Sequence, residues 1–485
     1  MKDTKLIYTL KTFTKDDLKL FEKFVASPFF NKGRNYLPLL AELRKFHPEY
    51  ENEILTYEYI YKKLYPGRKF NKQVMWNQVS EFEKLATEFL LQTGLKNNRV
   101  ERFIILFNEL SKRHLYKQVS KEIERIDKYN NTVGLGKEHF HNKWIIEGNK
   151  VEYWSSLVGR QDKSLDAMIK CTEYLIISLL AELSISVSDL QIMKNMYDVE
   201  SEIESPIEFV KSLDLKKLID TAKENNHKLA PVMNFYYNKI MCCLDENDEN
   251  YFFEMKNFFD ENSDSFDTTE QKNTIISLAN YCAHKMRLGN SKFLKQLFEI
   301  NKFRLAKELD TYGGNRIQKS LYYQIIRNAL SLGEIEWTEN FVKEYTSKLI
   351  KEQQKTMSSL AWGLIYYARK EYENSLQSVN KVEFIDLRDK LHVRILTAKT
   401  YYELSKSELL FYYIDSSKHF IGNNTAIESN TKEAYLKFFN YLNRLLIFKE
   451  NPDSIKLNEL HEDIEMDKAL RKRHKEWLLE KVDEL

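Results

Sequence analysis

Glycine and proline, the residues that most often end or interrupt secondary structure, are scarce in this chain. Its 485 residues include 13 glycines and 7 prolines. Runs of alternating apolar and polar residues bounded by turn residues, the pattern of half-buried strands, are nearly absent. Apolar residues recur instead at helical spacing, and 43% of all residues are hydrophobic. These features exclude a β-rich fold and predict an all-α protein, long enough for several domains or one solenoid.

Cysteine is also scarce, and the four cysteines have none of the spacings that zinc or thiol redox sites use. We therefore expect buried free thiols in a reducing compartment. The N-terminus has no apolar segment typical of a signal peptide. The longest apolar run, 174–187, contains Glu182 and is too short to span a bilayer. The sequence thus predicts a cytoplasmic protein without membrane binding, and a fully buried helix at 174–187.

Charge of one sign does not dominate the chain, since the formal net charge is +2. No overall field therefore favours nucleic acid or a membrane as the partner. The charge is nevertheless uneven, at about +9 over residues 1–150 and about −9 over residues 241–270. We interpret these regions as solvated faces.

Motifs of catalysis and of metal or cofactor binding are missing. The chain has no HExxH, GxSxG, P-loop or GxGxxG sequence, and residues 134–137 (GLGK) lack the remaining spacing of a phosphate loop. His139 and His141 are two positions apart, whereas metal-binding histidines on a helix are usually four apart. Acidic loops at 245–256 and 260–271 lack the glycine and the final glutamate of an EF-hand. We expect no cofactor, no metal and no catalysis, and an enzyme without a recognisable motif stays a minor alternative.

Residues 357–382 have the pattern of two short antiparallel helices that turn at Lys370. Gly363 stands where the helices would cross, within Trp-Gly-x-x-Tyr. Ser375 and Val379 supply small and apolar contacts from the second helix. A small residue at the crossing with aromatic residues one turn away is what a packed helical hairpin requires. The segment therefore predicts such a hairpin.

Similar turns recur along the chain, at Gly289, Gly333, Lys370 and Ser405. They are 44, 37 and 35 positions apart, and the repeat length of tetratricopeptide (TPR) units is about 34 residues. The pattern resembles TPR repeats over residues 320–420 and more loosely over 229–319. This resemblance implies a solenoid of helical hairpins, in which neighbouring units bury one another's apolar faces.

Three regions follow from this interpretation. Residues 1–205 form an N-terminal all-helical region, residues 206–450 form TPR-like helical repeats, and residues 451–485 form a charged C-terminal helical cap. The expected joint lies at Ser205-Pro206, because the predicted helices after it are shorter and better paired. Within these regions Gly94 is predicted to end a helix, and 165–184 and 188–201 are predicted as separate helices. The basic cluster 471–475 is interpreted as a solvated helix face.

The N-terminal region has two resemblances of its own. SPFFN at 27–31, together with KKLYPGRKFN at 62–71, resembles an uncharacterised bacterial helical family, which implies no activity. Residues 55–91 form a short helix, a Pro-Gly turn and a long helix, and resemble the winged-helix domain of certain bacterial activators that also contain TPR-like repeats. No strand hairpin follows to form the wing, and Glu81 and Glu83 lie on the same helix as the expected DNA contacts.

This second resemblance gives an alternative function, a DNA-binding transcriptional regulator whose repeats act as a sensor. Basic residues around the Pro-Gly turn are candidates for phosphate contacts, and polar residues on the second helix are candidates for base contacts. The phosphate candidates are Lys62, Lys63, Arg68, Lys69 and Lys72. The base candidates are Gln73, Asn77 and Gln78.

The leading hypothesis is a non-enzymatic TPR-like scaffold or adaptor that binds a protein or peptide partner in the groove of its repeats. First helices of the units line such grooves, so their exposed polar and aromatic residues are the candidates. Helical phase selects Asn328, Tyr367, Lys399 and Tyr402 as partner-binding residues. Nucleic acid is the less favoured partner.

Overall fold

The protein is all-helical, as the composition predicts. In the computed structural model the described ranges are 1–196, 200–309, 311–312, 316–383, 386–451 and 454–485. The chain divides into two units, and each has its own internal packing. Unit 1 consists of residues 1–133 and 138–176, and unit 2 consists of residues 134–137 and 177–485.

Helices of the first part of the chain are mostly separated by short loops. They are α1 Lys5–Lys11, α2 Lys15–Val25, α3 Leu37–Arg44, α4 Tyr57–Leu64, α5 Lys72–Asn97, α6 Arg99–Ser111, α7 Tyr116–Asn130, α8 Lys137–Ser155 and α9 Gln161–Met196. Thr14 caps α2, because its hydroxyl accepts from the Asp17 amide while the Asp17 carboxylate accepts from the Thr14 amide. Aromatic rings of Phe13, Phe21 and Phe89 pack together in the core of α1–α5.

Helices of the second part are shorter on average and pack in consecutive pairs. They are α10 Glu200–Lys211, α11 Leu215–Glu224, α12 Ala230–Leu244, α13 Asn250–Asn262, α14 Thr268–Arg287, α15 Lys292–Ala306, α16 Lys319–Ser331, α17 Ile335–Tyr345, α18 Lys351–Ala368, α19 Tyr372–Val379, α20 Leu387–Glu403, α21 Ser407–Asn423, α22 Ser429–Glu450, α23 Ser454–Met466 and α24 Lys472–Asp483. Two 3-10 turns, Ser263–Ser265 and Thr346–Lys348, and the short antiparallel strands β1 Thr311–Tyr312 and β2 Arg316–Ile317 complete the elements.

The four turns singled out in the sequence share one backbone geometry. Gly289, Gly333, Lys370 and Ser405 all have positive φ, between 52° and 96°. In each turn the residue that follows donates its amide to the carbonyl five positions earlier, as Glu371 does to Tyr366 at 2.9 Å. This is the hydrogen bond of a Schellman C-cap, which satisfies carbonyls at the helix end. The paired helices that these turns join are α14–α15, α16–α17, α18–α19 and α20–α21.

The first helices of successive pairs also contact one another. Helix α16 packs on α18, and α18 packs on α20, while α17 and α19 each pack on the first helix of the next pair. Leu360 and Leu396, from α18 and α20, are buried in one of the clusters that this packing produces. Apolar faces of neighbouring pairs are thus buried against each other.

Gly134 and Gly136 allow residues 134–137 to approach another backbone segment of unit 2. The Leu135 amide donates to the Ser265 carbonyl at 2.7 Å, and the Asp267 amide donates to the Leu135 carbonyl at 2.8 Å. A Cβ atom on Gly134 would lie 2.7 Å from the Asp267 amide nitrogen. The GLGK sequence therefore forms a backbone bridge.

Three details of the sequence interpretation are wrong. Residues 165–184 and 188–201 are not separate helices, because α9 continues to Met196. Ser184 does not interrupt α9, since its hydroxyl donates to the Ala181 carbonyl at 2.7 Å. Gly94 does not end a helix but lies inside α5, and Asn98 is the residue between α5 and α6. Pro206 lies inside α10 rather than in a joint. The predicted regions 1–205, 206–450 and 451–485 stay predictions.

Candidate functional site

The last helix, α24, lies across the first helices of three pairs. Its Arg473 guanidinium donates to the Asn328 side-chain oxygen of α16 at 2.7 Å. One turn later the Trp477 indole N–H donates to the Tyr367 hydroxyl of α18 at 2.8 Å. The Trp477 ring also faces the Tyr402 ring of α20, with centroids 5.5 Å apart. We call the surface formed by Asn328, Tyr367, Lys399 and Tyr402 the α16–α18–α20 face.

Helix α24 is amphipathic, and its buried side packs on α22 and α23 as well as on this face. Its buried residues are spaced three and four apart, so they form one stripe along the helix. They are His474, Trp477, Leu478, Lys481 and Val482. The interpretation of 471–475 as a solvated face is therefore wrong for His474, which is 7% exposed, and Arg473 is half-buried.

The structure brings the four predicted partner-binding residues together on this face. Asn328 and Tyr402 are 3% and 4% exposed, and Tyr367 and Lys399 are half-buried. The expectation that the four are exposed is wrong, because Arg473 and Trp477 contact them. Their occupant in this structure is a helix of the same chain. That they bind a partner stays a prediction.

A polar network links α24 to α18 and α20. Tyr367 accepts from the Trp477 indole and donates its hydroxyl to the Glu403 carboxylate at 3.1 Å. The Lys481 ammonium lies 3.2 Å from the same carboxylate. Burial and the Glu403 charge raise the pKa of Tyr367, so its hydroxyl stays a donor. Such a satisfied buried network fixes the position of α24 along the face.

The remaining charge on the face is positive. The Lys399 ammonium lies 4.6 Å from the Trp477 ring centroid, and burial together with the positive charge of Arg327 lowers the pKa of Lys399 to about 7. Burial and the same charge lower the pKa of Arg473 to about 10 and that of His392 to about 3. His392 stacks on Tyr323, with ring centroids 4.1 Å apart, and is neutral at pH 7. Lys399 is thus only partly protonated near neutral pH.

No family model, curated protein or solved structure matches this chain. The resemblances to TPR proteins, to the winged-helix activators and to the bacterial helical family therefore rest on the sequence patterns described above. The helical pairs and the α16–α18–α20 face are properties of this chain's own packing.

The alternative DNA-binding residues lie in unit 1, around the turn between α4 and α5. The Gln78 side chain, a predicted base contact, is instead 4% exposed and donates to the Tyr65 hydroxyl at 2.9 Å. Gln73 and Asn77 are exposed and hydrogen-bond to each other at 2.9 Å. The exposed phosphate candidates are Lys62, Lys63, Arg68, Lys69 and Lys72. The structure thus leaves an exposed basic patch but removes one of three base-contact candidates.

A cavity of about 200 Å³ in unit 2 is lined by Lys239, Cys243 and His284, among others. Burial raises the pKa of Cys243 to about 11, so its thiol is protonated at pH 7 and is a poor nucleophile. His284 lies 2.8 Å from the Glu246 carboxylate. Among the residues with described placement, no group of three or more histidines, cysteines, aspartates or glutamates is arranged to hold a metal ion.

One described helix, Gln161–Lys194 within α9, is long and apolar enough to cross a membrane by length and composition. Only 33% of its most apolar 18-residue stretch is buried. The prediction of a fully buried helix at 174–187 is therefore wrong. Leu175 and Leu179, for example, are 43% and 50% exposed. The cytoplasmic location and the absence of membrane binding stay predictions.

Sequence reasoning missed Arg473, His474 and Trp477 as residues of the face. The charge of residues 451–485 favours a polar cap. A signal was nevertheless present, because His474, Trp477 and Leu478 begin a stripe at helical spacing that has no function in a solvated helix.

Proposed function

We propose that this protein is a non-enzymatic scaffold or adaptor of TPR-like helical repeats, whose α16–α18–α20 face binds a helical segment of a partner protein. The observation behind the proposal is the amphipathic α24 already seated there through Arg473 and Trp477. Recognition of an amphipathic helix in a groove uses anchors at such spacing. The shared Schellman turns support the repeat assignment.

In this proposal α24 is an internal occupant that a partner helix replaces. The intramolecular helix acts at a high effective concentration, so the face binds external helices weakly until α24 is loosened. A partner helix would present an indole or another aromatic ring to Tyr367 and Tyr402, and a cation to Asn328.

The first test uses a labelled peptide with the sequence of residues 471–485 and the full-length chain. Trp477→Ala removes the ring through which α24 contacts Tyr367, Lys399 and Tyr402, so this variant is expected to bind the peptide at least about tenfold more tightly than the wild type. Fluorescence anisotropy measures the affinity, and circular dichroism checks that the variant is folded. Equal binding to wild type and variant, or none to either, contradicts the proposal.

A matched variant tests the face itself. Adding Asn328→Ala to Trp477→Ala removes the acceptor for the peptide's arginine, and a lost hydrogen bond to a charged group weakens binding by roughly tenfold. Lys351→Ala, an exposed position at the start of α18, is the control and leaves the affinity unchanged. Pull-downs from nuclease-treated cytoplasm with the same variants then identify the partner protein.

The alternative is a DNA-binding regulator, favoured by the exposed patch of Lys62, Lys63, Arg68, Lys69 and Lys72. It requires duplex binding at low salt that decreases steeply with added salt and is lost when these residues are neutralised. If the scaffold proposal holds, a duplex shows no mobility shift at low salt. Recovery of DNA in the pull-down, with partners lost on nuclease treatment, would favour the alternative.

A further inference from the structure

Beside α24 lies a cavity of about 440 Å³, and a second cavity of about 280 Å³ adjoins it. The two share Tyr323, Arg327, His392 and Arg473 as wall residues. Leu330, Leu364 and Leu396, together with the Trp477 ring, form apolar wall of the larger cavity. Its volume is within the range of sites for small organic molecules.

Three cations face these cavities without a direct ion pair. Arg327, Lys399 and Arg473 have no ion pair with any residue of the described chain, and the Arg473 hydrogen bond is to a neutral amide. In the smaller cavity the carboxylates of Asp386 and Asp389 pair with Lys319. Two carboxylates at the rim of the larger cavity, Glu476 and Glu480, act on Arg473 and Lys399 through their charge but form their ion pairs with other lysines. Glu476 lies 3.7 Å from Lys472, and Glu480 lies 2.9 Å from Lys481.

The cavities also have buried polar atoms without partners. The Asn328 side-chain oxygen accepts from Arg473, while its Nδ2 atom, on a side chain 3% exposed, has no partner in the described part of the chain. The Nδ1 atom of His474, 7% exposed, is likewise unsatisfied there. An unmade hydrogen bond of a buried polar group costs about 1–3 kcal/mol. A ligand atom in the cavity would satisfy Asn328 as an acceptor.

These observations define the chemistry of a ligand that fits the cavity. Clustered like charges raise the free energy of the folded state, and an anion between them lowers it. Two arginine guanidiniums and an amide N–H₂ are donors that match the oxygens of a phosphate or a carboxylate. We infer that the cavity walled by Arg327, Lys399 and Arg473 binds a small organic molecule with an oxyanion group. The site includes Arg473, so binding would hold α24 on the α16–α18–α20 face.

Lys399 gives the site a pH dependence. In the free protein the pKa of Lys399 is lowered to about 7, so its amine is only partly protonated at neutral pH. A bound oxyanion raises this pKa, and binding therefore takes up a proton. Affinity is therefore full below pH 7 and decreases as the pH rises through this value. The charged and titratable groups that face Lys399 are Arg327 from α16, Glu403 from its own helix, and Arg473, His474 and Glu480 from α24.

The test measures the melting temperature of the full-length protein with pyrophosphate or citrate, each against sodium chloride at equal ionic strength. At least one probe is expected to raise the melting temperature of the wild type, and the probe with the larger effect shows whether the site prefers phosphate or carboxylate. Arg327→Gln and Lys399→Met are expected to lose the response. Lys381→Gln, an exposed lysine away from the cavity, keeps it.

Titration with citrate, whose charge is nearly complete above pH 7, gives the second readout. The Kd is expected to be roughly tenfold higher at pH 9 than at pH 7, and Lys399→Met flattens this dependence. No response to either probe beyond that of chloride, or an unchanged response in both variants, would overturn the inference. The peptide experiment above does not use these probes, so the two proposals fail independently.

Discussion

Replacing Lys239 by methionine is expected to lower the free energy of unfolding by about 3–5 kcal/mol. The Lys239 ammonium of α12 lies 2.7 Å from the Glu270 carboxylate of α14, and both side chains are 1% exposed. Methionine fills a similar volume but leaves Glu270 as a buried charge without its cation. Removing one partner of a buried pair is among the most costly single changes, because the other charge stays desolvated.

The surroundings of Glu270 limit the loss but do not replace the lysine. The Tyr236 hydroxyl donates to one carboxylate oxygen at 3.2 Å, and the Thr274 hydroxyl donates to the other at 3.3 Å. Glu270 also lies in the first turn of α14, where the helix dipole favours a negative charge. These contacts are weaker than the ion pair at 2.7 Å, so a loss of several kcal/mol is expected.

Urea unfolding of the full-length chain measures the effect, through the transition that belongs to unit 2. The double variant Lys239→Met with Glu270→Gln removes both charges and is expected to recover much of the loss, which gives a coupling energy. The control is Lys211→Met, which breaks an exposed pair with Glu208 and is expected to change stability by less than about 0.5 kcal/mol. A change of less than about 1 kcal/mol in Lys239→Met would contradict the expectation.

This pair was not foreseen from the sequence, and the reason is its separation. Lys239 and Glu270 belong to different helices, and one sequence gives no signal that two charges thirty-one positions apart will meet. The same reason applies to Arg473 and Trp477, whose partners Asn328 and Tyr367 are more than a hundred positions away. Contacts that depend on tertiary packing are beyond a reading of local pattern.

Features with local causes were predicted well. The turns at Gly333, Lys370 and Ser405 were found from residue pattern, and all have positive φ, because a C-cap depends on a few consecutive residues. The capping box at Thr14 is another feature of local origin, since Thr14 and Asp17 are three positions apart. The errors at Gly94 and Ser184 share a cause, since a residue that often ends a helix is also tolerated inside one when the apolar pattern continues.

The α16–α18–α20 face was predicted only in part from the sequence. Helical phase placed Asn328, Tyr367, Lys399 and Tyr402 on one surface, because residues at equivalent positions of paired helices point the same way. It did not show that α24 occupies this surface. The chemistry of the cavity was also missed, since Arg327 and Arg473 are 146 positions apart and come together only when α24 packs.

Replacing Gly363 by leucine is expected to lower the free energy of unfolding by about 1–3 kcal/mol through overpacking. Gly363 lies where α18 crosses α19. A Cβ atom there would be 2.6 Å from Cγ2 of Val379 and 3.4 Å from Cδ2 of Leu396. Valine has a stiff side chain, so the clash must be relieved by moving the helices.

The backbone of Gly363 is also bound at this crossing. The Ser375 hydroxyl of α19 donates to the Gly363 carbonyl at 2.7 Å, and Ser375 is fully buried. A displacement of α19 breaks this bond and leaves a buried hydroxyl and carbonyl unsatisfied, which costs about 1–3 kcal/mol. The loss is therefore expected at the upper end of the overpacking range.

Urea unfolding distinguishes this crowding from a general effect of leucine on a helix. Gly422→Leu is the matched control, because Gly422 lies near the end of α21 with no heavy atom within 4 Å of its Cβ position. Its stability is expected to change by less than about 0.5 kcal/mol. If Gly363→Leu unfolds at the same urea concentration as the wild type, α18 and α19 do not cross at Gly363 in solution. A loss in Gly363→Leu alone identifies the close helix crossing as its cause, since both variants add the same side chain.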